Sequence, residues 1–189
     1  MKSALVVIDT QNDFCSPNGI CAKNGNDISK LKKIIVNLKT AVNRARQNEM
    51  EIIWVQYLGD DKYKKPNLIE RDKKKKKKTK CLENTQGAEF YQVVPNKTER
   101  IIKKYACFDP FLNPEFEAYL KERKITHLIL AGIYADVCLD STARTGFQKG
   151  YNISVLRDCT ESIHYDKENV LEFMKKFYNA NIIKSDNFV

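Results

Sequence analysis

Apolar and polar positions along this chain alternate between a strand-like and a helix-like period. Ala4 to Ile8 is an unbroken apolar run closed by Asp9, with turn-formers following. Such a run predicts a central parallel strand covered on both faces. From Asp27, the residues Ile28, Leu31, Ile35, Leu38, Val42 and Ala45 step by three or four. They predict an amphipathic helix of about twenty residues with Asp27 as its N-cap. Glu51 to Leu58 reads as a second strand, and strand, helix, strand implies a right-handed crossover and a parallel sheet. Roughly forty residues with little periodicity follow, a length that marks a lid, a binding element or disorder. Arg100 to Tyr105 is a short strand, and Asn113 with Pro114 opens a helix bearing Phe116, Tyr119 and Leu120. His127 to Ala131 is a further buried strand, ended by Gly132, with a helix from about Cys138 to Gly150. Asn152 to Leu156, a helix from Asp166 or Lys167 to Tyr178, and Asn181 to Lys184 complete the series. The alternation predicts one α/β domain over residues 1–189, a three-layer α/β/α sandwich with a mostly parallel central sheet.

Composition agrees with one globular domain: 189 residues, 42% hydrophobic and 30% charged. No run approaches the ~18 apolar residues of a membrane span. The opening apolar run meets Asp9 too soon for a secretion signal. The six cysteines form no CxxC pair and no zinc spacing, so they are expected as reduced thiols. These features point to a cytoplasmic protein with no structural metal, no cofactor and no membrane partner.

The net charge of +9 changes the picture only locally. Lys62 to Lys80 carries 11 of the 33 basic residues but 2 of the 24 acidic ones, leaving the rest of the chain neutral. The Lys73 to Lys78 run lacks interleaved aromatics and the Arg that grips phosphate bidentately, so a solvated loop at about 59–86 is expected rather than a nucleic-acid surface. Polyanion binding there would weaken steeply with salt.

Candidate chemistry gathers at strand ends. Cys138 falls on the first turn of a helix following a strand, where backbone N–H groups and the helix dipole lower a thiol's pKa; a buried structural thiol is the competing reading. Asp9 sits directly after the first strand, where an open α/β sheet has its crevice, although a turn carboxylate bonding its own backbone is the commoner fate. Lys103 or Lys104 stands at the end of the short strand. A carboxylate and a lysine together can take a thiol's proton and hold the thiolate without histidine. His127 opens a strand on the opposite side of the sheet from Cys138, and His164 reads as a structural residue heading the last helix.

Val7-Ile8-Asp9-Thr10-Gln11-Asn12-Asp13-Phe14, Ala131-Gly132-Ile133-Tyr134-Ala135-Asp136-Val137-Cys138, Ser141-Thr142-Ala143-Arg144 and the Gly150 to Asp158 stretch together resemble the isochorismatase-like cysteine hydrolases, which include nicotinamidases, N-carbamoylsarcosine amidases and ureidoacrylate amidases. The resemblance implies Asp9 as general base, Lys104 as the positive member of a triad and Cys138 as nucleophile. It also implies a cis peptide between Ile133 and Tyr134, presenting the Tyr134 N–H with that of Cys138 to an oxyanion. Phe14, Tyr57, Phe108 and Tyr134 are expected to shape the substrate pocket. A small amide or ureide substrate, a thioester intermediate and a homo-oligomer follow from the same likeness. Asp109-Pro110-Phe111 stands where relatives carry Ser-Ala-Phe, and Trp54-Val55-Gln56-Tyr57 leads into a region without the Asp-x-His metal motif of nicotinamidases. A thiol-reactive protein or a polyanion-binding protein on the same scaffold are the rival readings.

Overall fold

The computed structural model describes residues 1–188. Six parallel strands form one sheet: β1 (Ser3–Ile8), β2 (Glu51–Leu58), β3 (Arg100–Tyr105), β4 (His127–Ile133), β5 (Asn152–Glu161) and β6 (Asn181–Ile183), in the order β3-β2-β1-β4-β5-β6. Seven helices connect or flank them: α1 (Asn12–Cys15), α2 (Ile20–Lys23), α3 (Leu31–Gln47), α4 (Pro66–Lys74), α5 (Pro114–Glu122), α6 (Asp140–Gln148) and α7 (Lys167–Tyr178).

Strand alternation separates two cores. Ala4, Val6 and Ile8 of β1 pack with Phe116 and Leu120 of α5, Ala143 of α6 and Leu171 and Met174 of α7. Leu5 and Val7 point the other way, onto Leu31, Ile34, Leu38, Ala41, Val42 and Ala45 of α3. Burying a Val, Leu or Ile is worth about 1.5–3 kcal/mol, so a strand apolar on both faces gains most at the centre of the sandwich. The predicted three-layer architecture is what forms. Among the described residues, no helix is long and apolar enough to cross a membrane.

Three boundaries differ from expectation. Asp27 does not cap the long helix: its carboxylate accepts from Ser29 N–H in a local turn, and α3 begins at Leu31 after Lys30. An Asp bonding two residues ahead competes with helix initiation and moves the start downstream. β5 continues to Glu161, with a register shift against β4, and so takes in Cys159, which the apolar run alone leaves outside. Within the lysine-rich stretch Pro66 opens α4, a helix that hydrophobic periodicity does not show because none of its residues is buried.

The chain runs from β1 outward to β2 and β3, then returns to place β4 on the other side of β1. The carboxyl ends of β1 and β4 therefore flank a topological switch point, where open sheets of this kind leave a crevice.

Candidate active site

Two departures from regular backbone build the crevice. Asp9 follows β1 with φ 53, a left-handed conformation that turns its carboxylate inward, and its N–H is held by the Val55 carbonyl. Gly132, with φ 110, lets β4 lie directly against β1: a Cβ there would come within 2.1 Å of the Ile8 carbonyl oxygen. β4 then passes through a cis Ile133–Tyr134 peptide into a π-helical turn, Ala135–Leu139, which carries Cys138. The Val137 and Leu139 N–H groups both donate to the Tyr134 carbonyl, while the Tyr134 N–H finds no hydrogen-bond acceptor among the described residues.

Lys104 arrives from β3, inside the strand rather than after it. Burial alternates along β3 so that Ile102 and Lys104 face in while Lys103 faces out, 3.8 Å from Glu83. The Lys104 Nζ lies 2.7 Å from Asp9 Oδ2 with neither side chain more than 2% exposed, and it donates to the Phe108 carbonyl at 2.9 Å. Cys138, 8% exposed, is buried near enough to Asp9 and Lys104 for both to act on its thiol. Asp9, Lys104 and Cys138 thus converge, and Lys104 rather than Lys103 is the lysine that meets them.

The electrostatics differ from the expectation of a lowered thiol pKa. Burial, reinforced by Asp9, pushes the Cys138 thiol up despite the opposing pull of Lys104. Burial likewise raises the Asp9 carboxyl, against the lowering effect of Lys104. For Lys104, burial works toward the neutral amine, but Asp9 and Cys138 outweigh it and the ammonium is retained. Desolvation dominates the thiol because a π turn enclosed by two strands admits little water. At rest the cluster holds a neutral thiol beside the Lys104 ammonium, which lies 2.7 Å from the Asp9 carboxyl.

Around it stand Phe14, Tyr57 and Tyr134, with Phe14 edge-on to both tyrosines at ring separations of 5.9 and 6.3 Å. Tyr57 also lies 5.5 Å from Lys104 Nζ. Phe108 is 44% exposed at the entrance, with the Arg71 guanidinium 5.8 Å from its ring. Three polar residues that motif reading passed over hold this shell in place. Gln11 clamps β1 to β2, donating to the carbonyls of Tyr57 and Ala88 and accepting from Tyr57 N–H. Asp13 accepts from the N–H groups of Cys81 and Ile20. Asp136 accepts from three successive N–H groups, those of Ile163, His164 and Tyr165, at 3.0, 2.7 and 3.1 Å. The signal for Gln11 was in the sequence: a polar side chain continuing a fully buried run needs partners.

The other sequence candidates fall elsewhere. His127 bridges Ser3 and Ser154 at the amino ends of the strands, and His164 is exposed, engaged through its backbone. Cys15 is buried near enough to Asp9 for its charge to be felt, and Cys107 near enough to Lys104. No three metal-ligating side chains converge among the described residues. Past β2, Asp60 is committed to the Glu83 N–H and Asp61 to Lys64. These commitments leave no free carboxylate of that pair to serve as a metal ligand.

A model of the Isochorismatase domain matches residues 3–186. N-carbamoylsarcosine amidase from Thermoplasma acidophilum superposes with a TM-score of 0.80 at 20% identity, over 100% of this chain and 99% of that one. A nicotinamidase from Bacillus subtilis gives 0.80 at 23% identity, over 97% and 100%. An isochorismatase family protein from Desulfovibrio vulgaris gives 0.83 at 20% identity, over 98% and 95%. At these identities the structural likeness speaks for the fold.

Proposed function

Since the chain belongs to the isochorismatase family, we propose that it is a cysteine hydrolase that cleaves the C–N bond of a small amide or ureide through Asp9, Lys104 and Cys138. The observation that carries the reading is the buried Asp9–Lys104 pair, 2.7 Å apart, beside one nearly enclosed thiol. Burying two opposite charges costs several kcal/mol per ion, an expense that hydrophobic residues of the same size would avoid.

In the proposed reaction Asp9 takes the Cys138 proton as the sulfur attacks the carbonyl carbon. The retained Lys104 ammonium favours the thiolate, so the nucleophile forms on demand. Charge developing on the carbonyl oxygen is received by the N–H groups of Tyr134 and Cys138, each such donor being worth about 10²–10³ in rate. Asp9 then returns the proton to the departing nitrogen, the C–N bond breaks and a thioester to Cys138 remains. Water, deprotonated by Asp9, attacks that thioester and releases the acid. Phe14 and Tyr134 provide an aromatic wall suited to a flat amide.

Two further properties belong to this reading. All six cysteines are free, as suits a cytoplasmic enzyme. Phe147, Phe173 and Phe177 lie exposed on α6 and α7, a surface on which copies of the chain would associate, and sedimentation at micromolar protein tests that association.

Ammonia release from a panel of primary amides, carbamoyl compounds and ureides tests the function. Cys138→Ala is expected to abolish turnover while leaving the thermal transition in place; undiminished turnover in that variant would end the proposal.

A further inference from the structure

The lysine-rich segment, expected as a solvated loop, leaves Lys73 to Lys78 exposed but contains α4 and an ion-pair network. Lys64, with its side chain 5% exposed, bridges Asp61 at 2.9 Å and Asp72 at 3.1 Å, while Arg71 holds the other oxygen of Asp72 at 2.7 Å. These contacts spend both acids on Lys64 and Arg71. Beyond α4 the chain reverses: Lys76 adopts φ 47 and the Lys77 N–H donates to the Asp72 carbonyl. The reversal brings Lys76 and Lys77 back beside Lys73, around a cavity of about 160 Å³ lined also by Asp61, Lys64, Ile69, Asp72 and Thr79.

Cations at a helix carboxyl end are ordinarily explained by the dipole. That explanation covers Lys73 and Lys74 in the last turn, and Lys74 in addition pairs with Glu70. It does not cover Lys76 and Lys77, which lie past the helix and fold back toward like charge. Lys73, Lys76 and Lys77 have no described carboxylate within 4.0 Å.

We propose that this cavity binds a compact, multiply charged oxyanion of the phosphate class, with Lys73, Lys76 and Lys77 as its charge partners. Ammonium groups act as point charges and suit a small anion approached from several sides. The one guanidinium nearby, Arg71, is engaged by Asp72, so a planar carboxylate meets no free fork. The anion is free phosphate or the terminal group of a phosphomonoester. The site is separate from the reaction at Cys138 and does not depend on it.

Calorimetric titration of the full chain with inorganic phosphate, and separately with glycerol 3-phosphate, at sodium chloride-matched ionic strength, tests the proposal. One saturable site is expected, with the tighter of the two ligands identifying the source. Lys73→Gln, Lys76→Gln and Lys77→Gln together should weaken it at least tenfold. The same charge change on exposed α3 positions, Lys32→Gln, Lys33→Gln and Lys39→Gln, should leave it within twofold, and Cys138→Ala should bind as the native chain does. Equal loss in the α3 variant, absence of saturation at millimolar ligand, or binding confined to long RNA with a steep salt dependence would each overturn it. The substituted lysines are solvent-facing, and an unchanged unfolding temperature confirms that each variant is folded.

Discussion

At the scale of single residues, the site turns on which group carries the proton. A first-turn position predicts an acidic thiol, yet burial wins, and Cys138 rests protonated beside Lys104 and Asp9. In the proposed mechanism Asp9 must be ionised to take the thiol proton. Burial raises that carboxyl above its ordinary 3.8, so kcat/KM should fall as pH drops through a limb displaced upward from 3.8, and Asp9→Asn should lower the rate by about 10²-fold or more. A limb at or below the ordinary carboxylate value would contradict this assignment. The pair also bears on stability. Lys104→Met leaves a buried carboxylate without its partner and should cost about 3–5 kcal/mol in urea unfolding. Adding Asp9→Asn should return part of that loss, so the double variant costs less than the two single ones combined. The choice of Lys104 over Lys103 was left open by the sequence, because Ile101 and Ile102 put an apolar residue on each side of an alternating strand; the burial of Ile102 and Lys104 decides which side faces in. The raised thiol pKa was not legible, since it depends on how tightly neighbouring elements close.

At the scale of elements, the site is positioned by unusual backbone rather than by helix or strand length. Gly132 combines positive φ with direct contact to β1. Gly132→Ala should destabilise by more than about 1 kcal/mol, because alanine meets both the backbone strain and the Ile8 carbonyl. Asp136, two residues before Cys138, ties the π turn to the loop after β5 through three N–H groups. Asp136→Ala strands three donors, and faster hydrogen exchange at Ile163, His164 and Tyr165 is the expected result. Neither the π turn nor this tether could be read from periodicity, which registers buried faces and not backbone hydrogen bonds. At the opposite end of the sheet His127 joins β1 to β5 through Ser3 and Ser154, and burial lowers its pKa from the ordinary 6.5. The unfolded chain then binds the extra proton, so the contribution is complete above 6.5 and is lost as pH falls below it. The unfolding temperature should decline between about pH 7.5 and about pH 5.5, and less so in His127→Asn.

For the whole molecule, the strand order explains why residues far apart in sequence meet. Asp9 and Cys138 lie on either side of the switch between β1 and β4, and Lys104 reaches them from the edge strand past β2. Runs of apolar residues made each strand visible and their alternation with helices made the layers visible. The order of strands does not follow from local pattern, because it depends on which edge each crossover takes. Charge is divided in the same global way. A neutral body carries the candidate active-site crevice, and the excess positive charge lies in one segment, residues 62–80, with its own ion-pair network. Composition located that segment, but α4 escaped notice because it buries no residue. The central claim is covalent catalysis at Cys138, and intact-protein mass spectrometry during turnover of a hydrolysed amide tests it most directly. The native chain should gain the mass of the acyl group, lose it as substrate is exhausted, and show no such gain in Cys138→Ala. Turnover with the same adduct, or with undiminished hydrolysis, in Cys138→Ala would contradict the account.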